Sequence, residues 1–393
     1  MRTDVFFEVT RESSSSRARL GRLHTPHGIV ETPSYVVVAT DAEIRCLQPA
    51  DIPDTKTQIA IANTYHLWRT LGDAGLNEFP GVHAAMGWDG PMMTDSGGFQ
   101  VFSMGAARVH GTGKIAAMPS RGEGGEHESA VRVTDSGVYF MEEGEEHYLD
   151  AETSMRIQEQ LGADITFAFD EPTSPHADRA YTEEALRRTH NWAERSLEAK
   201  TSAQSMYGIV QGGVFRDLRE ESAKFIGALP FAGFGIGGAF GSSFGDSKKN
   251  TFEEVSFVVP LLPQRKPRHL LGIGRIEDVF EAVAQGIDTF DCVIPTREAR
   301  HGALWTRAGR YDITKGKYTT SDAPLDAFCG CPTCLSGILQ RDLYGFFKQK
   351  DDRAGRLATL HNVFFFNSLL EEIRESLREN RFEEFRRSYT RIP

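Results

Sequence analysis

The stretch HLLGIGRIEDVFEAVAQGIDTFDCVIP, residues 269–295, contains one strand–helix–strand unit. It begins with a short apolar run from His269 to Gly274. Apolar residues at helical spacing follow from Arg275 to Gln285, and a second strand-like run extends from Thr289 to Pro295. Such a unit is typical of α/β folds, in which strands alternate with helices along the chain.

The same alternation is present in the preceding part of the chain. Six further strand-like runs are Tyr35 to Ala39, Ile59 to His66, Pro91 to Asp95, Asp164 to Asp170, Met206 to Gln211 and Phe234 to Phe240. Helical spacing recurs at Ala151 to Leu161, Arg179 to Ala199, Val214 to Leu229 and Thr251 to Val259. Eight alternating strands predict an α/β fold of the TIM (β/α)8 barrel type. Doubly wound sheets alternate as well, so the count favours the barrel without excluding that arrangement.

Two segments interrupt the repeat and set the predicted domain organisation. Residues 97–150 are predicted to form an inserted hairpin excursion, with a Gly- and Glu-rich tract at residues 121–128 that has no evident role. Residues 318–393 hold a cysteine cluster and C-terminal helices, among them His361 to Leu377 with one apolar face. We therefore predict a barrel over residues 1–317 and a small zinc-binding subdomain over residues 318–393.

The composition is that of an ordinary globular protein, with 40% hydrophobic and 25% charged residues in a chain of 393. The formal net charge of −11 argues against a generally basic surface, so any contact with nucleic acid must rely on a local positive patch. Neither a signal peptide nor an apolar run long enough for a membrane span is found. We expect a cytoplasmic protein without membrane contact.

The C-terminal segment offers a complete set of metal ligands. These are Cys329, Cys331, Cys334 and His361. Three thiolates and one imidazole form a tetrahedral site without an open position for water, which predicts one structural Zn2+ per chain. The sequence does not exclude His301 or His269 as the fourth ligand. The two remaining cysteines, Cys46 and Cys292, are predicted to be small buried residues.

Polar residues or glycines lie at or near the ends of most predicted strands, where barrel active sites form. They are Asn63, Asp95, Asp170 with Glu171, Gln211, Gly237 with Gly238, Gly272 and Asp291. An aspartate at such a position is often a helix N-cap, which is a structural role. Three aspartates in one cleft would repel each other, and this cost favours a catalytic role for the set.

Glycosyl transfer with retained configuration fits such a set of residues. It needs one carboxylate as nucleophile for the anomeric carbon and a second group that protonates the departing base and deprotonates the incoming one. A third carboxylate and a carboxamide could then read the edge of a purine.

Several longer motifs point to one family. The main ones are TDSGGFQVFS at 94–103, FDCVIPTREARHG at 290–302 and the CxCx2C…H metal set, supported by GRLHTPHGIVETP at 21–33, NTYHL at 63–67, FDE at 169–171, QGGVFRDLR at 211–219 and LLGIG at 270–274. With these motifs in this order along nearly the whole chain, the sequence resembles the tRNA-guanine transglycosylases, or queuine tRNA-ribosyltransferases. The resemblance implies exchange of guanine at the anticodon wobble position of tRNA for a free 7-deazaguanine base, in queuosine modification.

The resemblance also implies residue roles. Asp291 would be the nucleophile that forms a covalent intermediate with the ribose, and Asp95 the general acid and base. Phe99 and Leu271 would lie on the two faces of the base. The implied base pocket consists of Ser96, Gly97, Gly98, Phe99, Asp170, Gln211, Gly238, Gly241, Leu271 and Gly272.

A local excess of arginine after the predicted nucleophile could hold RNA phosphates in spite of the acidic total charge. The implied RNA contacts are Arg275, Arg297, Arg300 and His301. Arg307 and Arg310 are expected to be ordinary charged surface. The resemblance further implies a homodimer.

The sequence departs from the family pattern beside the predicted base pocket. After Gly237 and Gly238 it reads AFGSS, where bacterial members that use an aminomethyl-deazaguanine usually read LAVGE. A glycine at 241 in place of valine, and a serine at 243 in place of glutamate, would leave room for the larger base queuine. The sequence leaves open which of the two bases is used.

Three alternatives compete with this interpretation. A non-catalytic partner subunit of a transglycosylase is disfavoured because Asp95 and Asp291 both lie in intact motifs. A DNA-directed deazaguanine transglycosylase would need the same chemistry, and recognition of the 2′-hydroxyl cannot be read from the sequence. A barrel hydrolase with catalytic zinc is disfavoured by the closed four-ligand set.

Overall fold

The computed structural model describes residues 6–102, 131–174, 177–238 and 248–389, and eight strands in these ranges close into a parallel barrel. In chain order the strands are β1 Phe7–Glu12, β2 Arg19–Thr25, β3 Gly28–Thr32, β4 Ser34–Val38, β5 Ala60–Ala62, β6 Met92–Thr94, β7 Val131–Val133, β8 Val138–Glu142, β9 Glu145–Leu149, β10 Ile165–Phe167, β11 Ser205–Val210, β12 Gly233–Ile236, β13 Arg268–Leu270, β14 Thr289–Cys292, β15 Ala303–Thr306 and β16 Gly309–Asp312. The α-helices are α1 Thr64–Glu78, α2 Val82–Met86, α3 Ala151–Leu161, α4 Arg179–Ala199, α5 Arg216–Ala228, α6 Lys248–Val258, α7 Ile276–Ala284, α8 Ile294–Arg300, α9 Pro332–Leu335, α10 Gln340–Gln349, α11 Asp352–Arg378 and α12 Phe382–Tyr389.

The barrel strands follow one another around the ring in chain order: β4, β5, β6, β10, β11, β12, β13 and β14. The ring closes between the last and the first, where Thr289 lies opposite Ser34 and Phe290 opposite Tyr35. Each of the eight predicted runs overlaps one of these strands, and helices alternate with them. The predicted (β/α)8 barrel is therefore confirmed, and a doubly wound sheet, which would have two open edges, is excluded.

The interior of the barrel is filled by apolar side chains. Val36, Ile61, Met93, Phe167 and Ile209 come from five different strands, and each is at most 6% exposed. Burial of such a side chain contributes roughly 1.5 to 3 kcal/mol to the free energy of unfolding. The barrel is therefore a packed core, and a site can form only at one of its ends.

A three-stranded antiparallel sheet, β1 to β3, covers one of these ends. Its residues Phe7, Leu23 and Val30 join the interior core of the barrel. In its β2–β3 turn, the Nδ1 atom of His27 lies 2.7 Å from a carboxylate oxygen of Asp164, which directly precedes β10. The sheet thus lies at the end where the strands begin, and the opposite end is left for the site.

Two of the predicted helices coincide with α3 and α4, and each begins at an aspartate cap. Asp150 accepts a hydrogen bond from the Thr153 amide at 2.8 Å, and Asp178 accepts one from the Tyr181 amide at 2.8 Å. No helix within the described ranges combines the length and apolar character that a membrane span needs.

The prediction for the last long helix was wrong at its start. The helix α11 begins at Asp352, so His361 lies well inside it. Ala354 and Ala358 are buried in the additional turns. Small residues of this kind give only a weak apolar periodicity, so the sequence pattern becomes visible later than the helix begins.

Strands β7 to β9 form an antiparallel sheet within the predicted excursion. The Tyr65 hydroxyl donates to Glu142 at 2.7 Å, and Arg69 forms an ion pair with the same carboxylate. These contacts attach the sheet to α1. The Gly- and Glu-rich tract at residues 121–128 lies outside the described residues.

A second apolar core lies near the cysteine cluster. It includes Leu304, Ile313, Leu325, Leu343 and Ala358, which come from both sides of the predicted domain boundary after residue 317. That boundary stays a prediction.

Candidate active site and metal centre

Asp95 directly follows β6, and four hydrogen bonds hold its carboxylate. The side-chain amide of Asn63 donates to Oδ2 at 2.6 Å, and the backbone amides of Thr64 and Gly97 donate to Oδ1 at 2.9 and 3.1 Å. The side-chain amide of Gln100 makes a longer contact with Oδ2 at 3.4 Å. Because Asn63 is also the N-cap of α1, the start of this helix and the end of β6 fix the carboxylate in one orientation.

The surroundings of Asp95 shift its proton affinity. Burial raises the pKa of its carboxyl to about 7, although hydrogen bonds from the Thr64 and Gly97 amides oppose the shift. The negative charge of Asp291 contributes to this raised value. A carboxyl group that titrates near neutral pH can both donate and accept a proton in a reaction cycle.

Asp170 follows β10 and forms a buried cluster with two other predicted residues. The Ser96 hydroxyl donates to Oδ1 at 3.1 Å, and the Gln211 side-chain amide donates to Oδ2 at 2.7 Å. Burial raises the pKa of Asp170 to about 6, against the effect of these two hydrogen bonds. The side-chain oxygen of Gln211 is buried and has no hydrogen-bond partner in the described part of the chain. An open acceptor beside a carboxylate is suited to the N–H groups of a base.

Glu171 is adjacent to Asp170 but belongs to a different network. Its carboxylate lies 2.6 Å from Arg188 Nε and accepts a hydrogen bond from the Tyr181 hydroxyl at 2.6 Å. Its side chain is completely buried and its charge is neutralised by Arg188. We assign Glu171 a structural role in holding the loop that carries Asp170.

Two glycines let the backbone approach the Asp170 cluster closely. A Cβ at Gly98 would lie 2.9 Å from the Asp170 carbonyl oxygen, and a Cβ at Gly237 would overlap the side-chain amide of Gln211. The carbonyl of Gly237 accepts a hydrogen bond at 2.6 Å from Arg219, which is completely buried. Gly238 follows at the end of the described segment, and the predicted pocket residue at position 241 lies outside the described residues.

Asp291 lies in β14 at the same end of the barrel and is partly exposed. One carboxylate oxygen, Oδ1, lies 3.0 Å from His269 Nε2 and accepts a hydrogen bond from the Gly272 amide at 3.1 Å. Within the described ranges, Oδ2 has no hydrogen-bond partner. The carboxylate is therefore held through one oxygen while the other is available to a reactant.

Phe99 and Leu271 are the predicted faces of the base pocket. Phe99 lies in a helical segment, residues 98–102, that follows β6, and Leu271 lies in the turn after β13. Phe99 is 55% exposed, and Leu271 is partly buried against the interior core. An exposed phenylalanine next to a polar site suits stacking with an aromatic ligand. Their sandwiching role stays a prediction.

The predicted RNA contacts lie around the same opening. Arg297 is exposed and Arg300 is partly buried on α8, while His301 follows that helix and is exposed. Arg275 is the N-cap residue of α7 and is partly buried. Burial lowers the pKa of Arg300, and the nearby positive charge of Arg45 lowers it further. Arg45 therefore belongs to the same cationic cluster, although no sequence motif marked it.

Arg307 and Arg310, which were expected to be ordinary surface, both form ion pairs. Arg307 pairs with Glu372, and Arg310 Nε lies 2.7 Å from a carboxylate oxygen of Glu298. Their charges are thus partly neutralised, as is that of Arg45, which pairs with Asp41 at 3.1 Å. Arg297 and Arg300 have no ion pair among the described residues.

The four predicted metal ligands are brought together. The ligand atoms of Cys329, Cys331, Cys334 and His361 all lie within 4.8 Å of one another. The Nδ1 atom of His361 is 3.6 Å from the Cys331 sulfur and 3.4 Å from the Cys334 sulfur. Its other nitrogen, Nε2, lies 2.9 Å from the Trp305 carbonyl oxygen, an acceptor that keeps the proton on Nε2 and leaves Nδ1 free to bind a metal ion. The cluster could therefore hold a metal ion with three sulfur ligands and one nitrogen ligand.

The prediction for the two isolated cysteines was half right. Cys292 is buried at 8% exposure, whereas Cys46 is exposed. Cys46 has a φ of 72°, in a charged loop after β4. A turn in the left-handed region places this side chain at the surface. The sequence has no glycine or asparagine at this position, the residue types that usually indicate such a turn.

Besides Arg45, two residues of the site were missed by the sequence analysis. His269 had been weighed only as a metal ligand, and Gln100 had been read only as part of a longer motif. His269 lies one residue before the end of β13 and Gln100 five residues after Asp95, so both stood close to residues already singled out. The inward-facing residue before each strand end is a second position where site residues occur, and His269 lies at such a position.

Comparisons with known proteins agree with this arrangement. The model of a protein family described as queuine tRNA-ribosyltransferase matches residues 13–392. The chain is 43% identical to a putative queuine tRNA-ribosyltransferase of Archaeoglobus fulgidus, with 95% of this chain and 96% of the relative covered. It is 41% identical to a queuine tRNA-ribosyltransferase of Herpetosiphon aurantiacus, over 96% and 91% of the two chains. Identity to the protein of that name from Halothermothrix orenii is 38%, over 98% and 97%.

Proposed function

Because the chain belongs to the queuine tRNA-ribosyltransferase family and is a glycosyltransferase of the tRNA-guanine transglycosylase type, we propose a double displacement at the Asp95–Asp291 pair. Guanine at the wobble position of a tRNA anticodon would be exchanged for a free 7-deazaguanine base. The observation that carries the mechanism is the contrast between the two carboxylates. Oδ2 of Asp291 has no hydrogen-bond partner among the described residues, and the pKa of Asp95 is raised to about 7.

In the first displacement, Oδ2 of Asp291 attacks C1′ of the ribose and forms a C–O bond. The bond between C1′ and N9 of guanine breaks, its electron pair passes to the base, and protonated Asp95 supplies the proton. The negative charge of Asp291 favours the protonated form of Asp95 at this stage, since it raises the pKa of Asp95.

In the second displacement, N9 of the incoming base attacks C1′ from the face that guanine left. The C1′–Oδ2 bond breaks, its electron pair returns to Asp291, and ionised Asp95 takes the proton from N9. While Asp291 is esterified it carries no charge, so the repulsion that raised the pKa of Asp95 is absent. This favours the ionised Asp95 that the second step requires.

Asp170 and Gln211 would select the base. The carboxylate accepts from the N–H groups of a guanine-like edge. The side-chain oxygen of Gln211, which has no partner within the ranges that the structure describes, accepts a further one. The surrounding glycines at positions 97, 98, 238 and 272 let backbone groups lie close to the ring. Phe99 and Leu271 would cover its two faces.

Arg275, Arg297, Arg300 and His301 would hold the RNA backbone over the opening. Phosphates would lie beside the nucleophile, where the cluster of Arg45, Arg297 and Arg300 gives a positive field on an acidic protein. We further propose one structural Zn2+ at the Cys329 cluster, a homodimer, and a cytoplasmic location. The zinc would stabilise the subdomain and takes no part in the chemistry.

The incoming base is queuine or its aminomethyl precursor. Gly241 and Ser243, which bear on this choice, lie outside the described residues. Competition of the two bases against labelled guanine, measured as kcat/KM, distinguishes them, since removal of a wall side chain is worth on the order of 1 to 3 kcal/mol in discrimination.

The test of the proposed reaction uses undermodified tRNA, labelled guanine and the Asp291→Asn variant. We expect the unaltered protein to exchange the label and to give an RNA–protein adduct that survives denaturation. Asp291→Asn keeps the shape but cannot form the ester, so exchange and adduct should both disappear. An adduct that persists in Asp291→Asn would assign the nucleophile to another residue.

A further inference from the structure

We propose that His269 is a positioning residue for Asp291, and that its Nε2–H group promotes breakdown of the ribosyl ester. This inference rests on the proposed double displacement. His269 lies in β13 and is completely buried. It makes polar contacts in two directions, to Thr289 and to Asp291 in the neighbouring strand β14.

The contacts of His269 specify where its proton lies. Its Nε2 atom is 3.0 Å from Asp291 Oδ1, and an ionised carboxylate can only accept, so Nε2 carries the hydrogen. Its Nδ1 atom is 2.9 Å from the Thr289 hydroxyl, which is also completely buried and can donate to it. The ring itself packs against Phe167, with ring centroids 5.4 Å apart. Thr289, His269 and Asp291 thus form a chain of hydrogen bonds with one direction.

The chain ends on one oxygen of the nucleophile. Oδ1 of Asp291 receives the His269 donor at 3.0 Å and the Gly272 amide at 3.1 Å. When Oδ2 bonds to C1′, Oδ1 becomes the carbonyl oxygen of the ester. The two donors are therefore already in place on the atom that regains negative charge when the ester breaks.

These two donors favour the second displacement, in which the ester breaks. As the C1′–Oδ2 bond breaks, the electron pair returns to Asp291 and the proton of the incoming N9 goes to Asp95. The His269 donor stabilises the resulting carboxylate more than it stabilises the neutral ester, because hydrogen bonds to ions are stronger than those to neutral groups. It therefore shifts the equilibrium from adduct plus free base towards free enzyme plus RNA.

His269→Phe and His269→Gln test the donor directly. The phenylalanine fills the space beside Phe167 without a donor, whereas the glutamine amide can place an N–H near the position of Nε2. At a fixed guanine concentration where the unaltered protein holds little adduct, we expect the ratio of adduct to free enzyme to rise on the order of 10- to 100-fold in His269→Phe. His269→Gln should restore the ratio to within a few-fold. A residue that served packing alone would not move this equilibrium towards the adduct.

Thr289→Val and Thr166→Val form a matched pair. The first removes the hydroxyl that holds Nδ1, so the ring can place its proton on the wrong nitrogen, and the adduct ratio should rise about 3- to 10-fold. Thr166 lies in β10, is equally buried, and its hydroxyl has no partner in the part of the chain that the structure describes. Its valine variant should leave the ratio unchanged. Thermal unfolding of each variant identifies any loss of fold.

The results distinguish failure of the double displacement from failure of the role of His269. If the unaltered protein forms no adduct, the double displacement is refuted and the role of His269 falls with it. If the adduct forms and disappears in Asp291→Asn, but folded His269→Phe shows the same ratio as the unaltered protein, the role of His269 alone is overturned. Equal ratios in the Phe and Gln variants would also overturn it.

Discussion

The raised pKa of Asp95 lowers the stability of the fold at neutral pH. A carboxyl whose pKa is raised on folding binds its proton more tightly in the folded state than in the unfolded one. Stability from this group is present below its unfolded pKa, near 3.8, and is lost as the pH rises towards about 7. The residue that suits acid–base catalysis is thus a source of instability at neutral pH.

The variant Asp95→Asn removes this dependence, because a carboxamide does not ionise. We expect the free energy of unfolding of the variant, relative to that of the unaltered protein, to increase by about 2 to 4 kcal/mol as the pH rises from 4 to 7. The estimate follows because one pKa unit corresponds to about 1.4 kcal/mol. Chemical denaturation at several pH values measures the difference. A constant difference across this pH range would contradict the raised pKa.

At the scale of elements, the neighbouring strands β11 and β12 are followed directly by Gln211 and Gly237. A Cβ at position 237 would overlap the Gln211 amide. We therefore expect Gly237→Ala to displace Gln211, to separate it from Asp170, and to raise the Kd for free guanine on the order of 10-fold or more. Equilibrium binding of labelled guanine is the measurement.

Gly227→Ala is the control for Gly237→Ala. Its added Cβ would meet atoms no closer than 3.5 Å, an ordinary contact, and alanine suits the interior of α5 better than glycine. Binding of guanine should be unchanged in this variant. An equally weak affinity in both alanine variants would show that the effect is not specific to the Gln211 contact.

The elements also show what the sequence could and could not reveal. The barrel strands were predictable because each is a short apolar run between helical segments, and the period of the pattern differs between the two. The first turns of α11 were missed because Ala354 and Ala358 are small. The surface position of Cys46 was missed because its backbone conformation, with φ at 72°, is set by the turn and not by residue type.

For the candidate site, the sequence located polar residues at strand ends but not their partners. Asp95, Asp170 and Asp291 could be predicted, since each lies at or near the end of a predicted strand. The hydrogen bond between His269 and Asp291 and the charge interaction between Arg45 and Arg300 could not, because each joins two different elements of the barrel. Such contacts depend on how the strands are aligned around the ring, which no local pattern contains.

At the scale of the whole molecule, the metal cluster connects distant parts of the chain. His361 lies in α11 and contacts the Trp305 carbonyl in β15, while Cys331 precedes α9. We expect Cys331→Ser to lower zinc content and thermal stability together, with a loss of several kcal/mol, because metal binding contributes folding free energy. Metal analysis and thermal unfolding of the same samples measure both.

Cys46→Ser is the matched control, since it removes an exposed thiol outside the cluster. It should retain one zinc per chain and an unchanged melting temperature. Stoichiometric zinc and unchanged melting in Cys331→Ser would remove Cys331 from the ligand set.

The sheet formed by β1 to β3 restricts how bases can enter and leave the barrel. It closes the far end of the barrel, and the interior is packed. Within the described ranges, the proposed base pocket is therefore reached only from the end of the barrel where the strands finish. In the proposed double displacement, the expelled guanine would leave through the same opening by which the incoming base enters, while the RNA is covalently attached. The two bases would then occupy this opening one after the other, and slow release of guanine would delay entry of the incoming base.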